Sequence, residues 1–460
     1  MKILLISTNW ETSPYPVYPI GMGMVASALK QVGHEVEMFD FLQNECSFDA
    51  VKDRVESAKP DVVGLSLRNI DNVNAANEHR YIDSVQKIVE SVRETTAAKI
   101  ILGGSAFSIM PEEILEKVGA DYGVVGEGEV LMCFFMDAVA SGNLPDERIL
   151  RAPQKLEKSA IPSAYYDPAM VDFYMAHGKT ISIQTKRGCD KHCIYCSYPF
   201  LEGRELRMRH ASNVVDDIER LVADREDSYI FFVDSLFNDS KGHYREVVEE
   251  MLRRGINIPW TAFFSPGGDL DDEIVAKMKQ TGLDAAEIGA DASTDATLKG
   301  IGKDFSWNDV VECNELFLRH EVTTAHYYMF GGPGETRGTV AEGIENIRNL
   351  RQTANFMFMG IRILPGTGLM ELARRDGLVS DQTDIVDPVY YFSKEVERDW
   401  LEQTLTDGFA DLMNCVFPPD ALDDKLHMLH QLGYGGTAYD MLIGAGGRSR
   451  RRARRRGKQA

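Results

Sequence analysis

The chain has 460 residues, 44% hydrophobic and 26% charged, with a formal net charge of −21. That length exceeds one ordinary core and suits two or three domains, and no uninterrupted apolar run approaches the ~20 residues that cross a bilayer. Of the seven cysteines, Cys189, Cys193 and Cys196 crowd together, which points to metal ligation in a reducing compartment instead of a disulfide framework.

The opening MKILLIST leads from one Lys directly into a short β-type run, without the longer apolar core and small-residue cleavage site of a secretory signal, so a cytoplasmic location is expected. Over residues 1–145, β-type runs (KILLIST, EVEMFD, DVVGLSL, AKIIL, DYGVV) alternate with amphipathic helical stretches. This pattern predicts a parallel sheet covered on both faces. Ligands of such sheets bind beyond the carboxyl ends of the strands, where this chain places TNWETSPYPVYPIG, RNIDN, GGSAFS and GEGE. Residues 146–178 read as a linker, because Pro145, Pro153, Pro162 and Pro168 interrupt any helix or central strand.

A second alternating series fills residues 179–368, with β-type runs TISIQTK, YIFFVDS, PWTAFFS, AAEIGAD, TAHYYMF and FMFMGIRI. It predicts a barrel or partial barrel with active-site residues at the C-terminal strand ends. Residues 369–445 read as mainly helical, including the whole of KEVERDWLEQTLTDGFADLMNCV. Residues 446–460 form an Arg-rich tail with seven Arg, Lys458 and no acid. Such a cluster suits anionic lipid or nucleic acid, or is simply a solvated end.

The segment TKRGCDKHCIYCSYPF carries C-x3-C-x2-C at the end of the first strand of the second series. Thiolates of Cys189, Cys193 and Cys196 can bind three irons of a [4Fe–4S] cubane and leave the fourth iron open. Zinc is the rival for spaced cysteines, but structural zinc sites have four ligands, and His192 lacks the usual paired spacing.

This segment resembles the signature of the radical S-adenosylmethionine (SAM) superfamily. The resemblance implies a cluster on these three cysteines that cleaves SAM to a 5′-deoxyadenosyl radical, Tyr195 with its ring near the adenine, and a one-electron donor such as flavodoxin or ferredoxin. Downstream pieces follow in the family's order: FFVDSLFN offers Asp234 and Asn238, AFFSP offers Ser265, EIGADAST offers Glu287, Asp291 and Ser293, and MFGGPGET offers Gly331, Gly332 and Gly334. By resemblance these loops surround the amino, carboxylate and ribose groups of SAM. The family's GxES turn is here GADAS, with the shorter Asp291 at the Glu position.

The first series resembles the cobalamin-binding domain fused to many radical SAM enzymes. The matching pieces are YPIGMGMVASALKQVGHEVEMFD, Ser66 after the third run, Gly103 and Gly104 after the fourth, and Gly126, Glu127 and Gly128 after the fifth. Glycines there let the backbone approach the corrin or its nucleotide tail. The D-x-H-x-x-G loop of one cobalamin branch is missing, so the resemblance implies cobalamin without a protein imidazole, with Arg68 or Asn69 facing the cobalt.

The expected fold is therefore α/β: a flavodoxin-like (Rossmann-like) cobalamin-binding domain, a partial (β/α)6 radical SAM barrel, and a mainly helical C-terminal region. The implied activity is methylation of an unactivated carbon through a 5′-deoxyadenosyl radical and methylcobalamin, on an organic substrate such as a lipid or natural-product precursor. Cyclisation or rearrangement without net methyl transfer, and an iron–sulfur or cobalamin sensor, are the alternatives. The basic tail would give a peripheral contact with a membrane surface.

Overall fold

The computed structural model describes residues 1–12, 15–223, 225 and 227–444, so the Arg-rich tail lies outside the described residues. Strands β1 (Lys2–Ser7), β2 (Glu35–Asp40), β3 (Val62–Ser66), β4 (Lys99–Gly103), β5 (Tyr122–Val125) and β6 (Ile149–Arg151) form one sheet in the order β2-β1-β3-β4-β5-β6, with all neighbours parallel. Side-chain alternation along β1 shows why both faces are covered. Ile3 and Leu5 share a core with Met22 of helix Ile20–Gln31 and Phe135 of helix Gly128–Ser141, while Leu4 and Ile6 pack with Val51 of helix Phe48–Ala58 and Val85 of helix Ile82–Thr95.

Two features of the expected linker are ordered structure. Residues 149–151 join the sheet as its edge strand, since Pro145 and Pro153 flank this short run and leave its ladder groups intact. Pro168 opens helix Pro168–His177 instead of breaking one: the first helical turn needs no N–H there, and Asp167 caps it by accepting from the N–H groups of Ala169 and Met170, both at 3.1 Å. From this helix Tyr174 donates to the buried carboxyl of Asp40 at 2.6 Å and ties the linker to the end of β2.

The second region contains β7 (Thr180–Ile183), β8 (Lys186–Arg187), β9 (Arg207–Met208), β10 (Tyr229–Phe232), β11 (Trp260–Phe264), β12 (Leu283–Asp291), β13 (Thr323–Phe330), β14 (Thr353–Met359), β15 (Ile361–Arg362), β16 (Tyr390–Tyr391) and β17 (Cys415–Val416). Its main sheet runs β7-β10-β11-β12-β13-β14-β17, all parallel. The six expected runs are present, and a seventh strand comes from the stretch read as helical. Helix Arg398–Phe409 stops early, because the free edge of β14 captures the chain: Asn355 N–H donates to the Asn414 carbonyl and Asn414 Nδ2 to the Thr353 carbonyl, each at 2.8 Å.

Alternation also sorts the barrel's faces. Ala262, Phe264, Ala286 and Ile288 turn outward onto the surrounding helices, so Phe263 on β11 and Glu287 on β12 turn inward. Lower in the barrel, Ala285, Ala325 and Ala354 leave room for Tyr439, which enters from the C-terminal region. No helix among the described residues is long and apolar enough to cross a membrane.

Candidate active site

The cysteine loop leaves β8 through Gly188, whose φ is +99° and where a Cβ would stand 2.2 Å from the Glu205 carbonyl oxygen, so only glycine fits. Three backbone bonds hold the loop: Cys189 N–H to the Gly203 carbonyl at 3.0 Å, Ile194 N–H to Ile301 at 3.0 Å, and Leu369 N–H to Ile194 at 2.8 Å. The thiols are free and close enough to influence one another. Burial pushes Cys196 up to about 12, against a hydrogen bond from the Tyr198 backbone and helped by the neighbouring thiols, and burial raises Cys193 as well. Among the described residues no three His, Cys, Asp or Glu converge as a single metal ion needs.

Tyr195, within this loop, donates to Asp291 Oδ2 at 2.5 Å. Lys303 pairs with the same carboxylate and donates to the Gly289 carbonyl at 2.9 Å. Asn238 and Ser265 are brought together at the ends of β10 and β11 by reciprocal bonds of 2.9 Å, Nδ2 to the Ser265 carbonyl and Ser265 N–H to Oδ1. Both line a cavity of about 370 Å³ with Cys189.

Four of the residues that the resemblance assigns to SAM, Asp234, Glu287, Gly331 and Gly332, have partners within the chain. Asp234 is buried, and its carboxylate accepts from Thr185 N–H at 2.7 Å, Thr185 Oγ1 at 2.6 Å, Lys186 N–H at 3.2 Å and Lys186 Nζ at 3.1 Å. These internal donors occupy it, and it braces the strand leading into the cysteines. Glu287 is not at a strand end but halfway down the barrel, accepting from Tyr327 at 3.1 Å and Tyr15 at 3.4 Å, with burial pushing it up to about 7. Gly331 and Gly332 pack under Phe392, Leu401 and Ile361 of the same chain, and the Gly331 carbonyl accepts from Ser393 N–H at 2.7 Å.

All seven residues assigned to cobalamin, namely Ser66, Arg68, Gly103, Gly104, Gly126, Glu127 and Gly128, line a single cavity of about 550 Å³ beyond the carboxyl ends of the first sheet. A Cβ on Gly103 would meet nothing closer than 4.0 Å, so this glycine leaves open space toward the cavity. Gly104 has φ +101°, and a Cβ there would stand 2.3 Å from the Leu67 carbonyl oxygen. The opposite wall belongs to the barrel: Gln184, Arg187, Ser197, Tyr198, Phe231 and Phe263.

Glu127 differs from the expectation in one respect, because its carboxylate is committed to joining the domains. It pairs with Arg187 at 2.9 Å and Arg207 at 2.8 Å and accepts from Leu156 N–H at 2.6 Å. Burial by itself would raise Glu127, but these partners outweigh it and hold its carboxyl below the usual range. Arg187 also reaches Glu129 at 2.5 Å. Arg187, Glu129 and Tyr15 went unread in the sequence. An Arg just before the glycine and first cysteine of the motif was the available signal for the first, whereas Tyr15 and Glu287 meet across 272 positions of chain.

Comparison with known proteins agrees with this arrangement. The B12 binding domain family matches residues 6–133, and the Radical SAM superfamily matches residues 183–347. Tryptophan 2-C-methyltransferase of Streptomyces laurentii is 25% identical over 442 residues, covering 80% of this chain and 73% of the relative. An uncharacterized methyltransferase of Pyrococcus horikoshii is 24% identical over 82% of this chain and 84% of its own. Among solved structures, the radical SAM methyltransferase TsrM from Kitasatospora setae, with tryptophan and a SAM analogue bound, superposes with a TM-score of 0.84 at 23% identity, covering 99% of both chains. The cobalamin-dependent SAM radical enzyme OxsB superposes at 0.70 with 16% identity, covering 96% of this chain and 71% of its own.

Sheet order, cysteine loop and intervening cavity define an iron–sulfur enzyme with a corrinoid-type domain. The chain belongs to the cobalamin-binding radical SAM enzymes. Its cofactors are accordingly a [4Fe–4S] cluster, SAM and cobalamin, and the residues present fit them: three neighbouring thiols on one loop, a polar cavity at Cys189, and a glycine-edged cavity at the first sheet's strand ends.

Proposed function

We propose that this chain is a C-methyltransferase that passes a methyl group from SAM, by way of cobalamin, to a carbon of a small organic substrate. The observation that carries this reading is the shared cavity, whose one wall is the strand-end face of the cobalamin domain and whose other is the barrel mouth beside the cysteine loop. A substrate there would lie between the two cofactors. When bound, the reduced cluster supplies the electron that splits SAM into methionine and a 5′-deoxyadenosyl radical, and cobalamin supplies the methyl group.

The chain's own residues place these groups and keep water out. Cys189, Cys193 and Cys196 would hold the cluster, and Asn238 and Ser265 would meet SAM from the cavity they share with Cys189. Ser66, Arg68, Gly103, Gly104, Gly126 and Gly128 would face cobalamin. The Arg187 network closes the seam between the domains beside the cavity. An external one-electron donor would reduce the cluster. The Streptomyces relative is named for tryptophan and the TsrM structure holds it; with Phe231 and Phe263 on the wall, L-tryptophan is the first substrate to try.

The test is anaerobic reconstitution with iron, sulfide and methylcobalamin, then mass spectrometry of SAM products and substrate after reduction, comparing wild type with Cys193→Ala. S-adenosylhomocysteine and a substrate heavier by one methylene, both lost in the variant, support methyl transfer. A substrate changed without that gain would place the chain among cyclising or rearranging enzymes. An intact cluster that leaves SAM unchanged in every condition would refute catalysis.

A further inference from the structure

The loop after β3 supplies one edge of the shared cavity, which Arg68, Asn69, Ile70, Asp71 and Val73 all line. Its continuation leaves the first domain. Residues 72–79 form an excursion closed at its base, where Tyr81 N–H donates to the Ile70 carbonyl at 2.9 Å and Asn72 N–H to the His79 carbonyl at 3.1 Å. This strap docks on the C-terminal region of the barrel. Ala75 is buried in one core with Tyr328, Met359 and Leu401, and its carbonyl accepts from Arg398 at 2.5 Å. Asn74 and Asn77 donate to Asp420 at 3.0 and 2.5 Å, and Arg80 pairs with Asp387 at 2.6 Å.

Asp71 ties the cavity edge to the docked strap. Its side chain, 2% exposed, faces that of Arg362 on β15, 3% exposed, across 291 positions of chain, with Nε donating to Oδ2 at 2.7 Å. The guanidinium is held in place by donating to the carbonyls of Ile363 at 2.9 Å and Ile385 at 2.8 Å, so Asp71 meets a fixed partner. The other carboxylate oxygen, Oδ1, accepts from Val73 N–H at 2.9 Å. Val73 has φ +48° and is 48% exposed, and a β-branched residue stays in the left-handed region only where its surroundings hold it there. One carboxylate therefore grips the barrel with one oxygen and fixes the cavity edge with the other.

We propose that Arg362 is a positioning residue for cobalamin: through Asp71 it sets the loop that carries Arg68, Asn69 and Val73 against the cofactor, so that tight binding requires the strap to be docked on the barrel. Cobalamin binding and strap docking are then linked, each strengthening the other by the same factor. The inference rests on the reading that cobalamin lies in this cavity, and it holds whether or not a methyl group is transferred.

The experiment titrates the anaerobic, cluster-reconstituted full chain with hydroxocobalamin. Arg362→Met should bind about tenfold more weakly than wild type, a typical coupling between linked sites, with its iron content unchanged, and Arg362→Lys should fall between the two. Because Arg362→Met leaves Asp71 buried without its partner, the double variant Arg362→Met/Asp71→Asn separates positioning from folding: its unfolding midpoint should return to that of wild type while cobalamin binding stays weak. Cleavage after the exposed Glu78 by a glutamate-specific protease gives the reciprocal readout; cobalamin should slow it about fivefold in wild type and leave it unchanged in the double variant. Wild-type affinity in the double variant, or cleavage at Glu78 that cobalamin does not slow in wild type, overturns the inference. Gly104→Ala reports failure of the cavity reading separately. If that variant binds cobalamin as wild type does, the cofactor lies elsewhere and the inference falls with the reading; if it binds weakly while the double variant binds normally, the role of Arg362 alone is refuted.

Discussion

Arg187 is the strongest single test of how the domains are held together. Its side chain is 7% exposed and meets Glu129, 6% exposed, at 2.5 Å, and Glu127, 8% exposed, at 2.9 Å. Replacing it by Met removes the cation and leaves two carboxylates in the seam. Glu127 keeps Arg207 and the Leu156 N–H, so the uncompensated group is Glu129. Breaking a buried pair on one side costs about 3–5 kcal/mol, and with Glu127 still satisfied the lower end, about 3 kcal/mol, is expected. With a urea m value of about 3 kcal/mol/M, the unfolding midpoint followed by tryptophan fluorescence should fall by about 1 M. The double variant Arg187→Met/Glu129→Met removes both charges at similar volume and should recover to within about 1 kcal/mol of wild type. A single variant within about 0.2 M of wild type, or a double variant no better than the single, would refute the assignment of this pair as a buried lock.

Asp40 gives a pH signature. Burial pushes its carboxyl up to about 6 from an ordinary 3.8, so the folded state holds the proton more tightly, and stability falls as pH rises through that window, by about 3 kcal/mol at most; Asp40→Asn should flatten this part of the stability–pH curve. Gly188→Ala and Gly104→Ala each force a Cβ into a carbonyl from a left-handed backbone. The first should lower bound iron after reconstitution and the second should lower retained cobalamin, each with little effect on the other cofactor. Asp234→Asn should lower the unfolding midpoint, because Lys186 loses a charged partner in the interior, while SAM affinity measured by equilibrium dialysis stays unchanged; a selective loss of SAM binding would restore Asp234 as a ligand contact.

Local pattern was enough for much of this protein. Short, near-continuous apolar runs fall on β1 to β5 and on the six main barrel strands, since a strand buried on both faces must be almost wholly apolar. The cysteine spacing singles out the loop proposed to hold the cluster, because cluster ligation depends on few residues close in sequence. The glycines at Gly103, Gly104, Gly126 and Gly128 all reach the one cavity, as strand-end glycines of a parallel sheet should. Where a residue's partners are distant in the chain, sequence was silent or misleading. The resemblance offers Asp234, Glu287 and Glu127 as ligand contacts, and folding gives their carboxylates protein partners that sequence did not reveal: Thr185 and Lys186, Tyr15 and Tyr327, and Arg187 and Arg207. Cys415 and Val416 carry a helical pattern until the open edge of β14 offers a ladder. The amino-acid order thus determined the elements and the strand ends that meet at the shared cavity. Only the tertiary structure decided which charged groups hold the domains together and which remain for a ligand, because that depends on donors and acceptors that folding alone brings within reach.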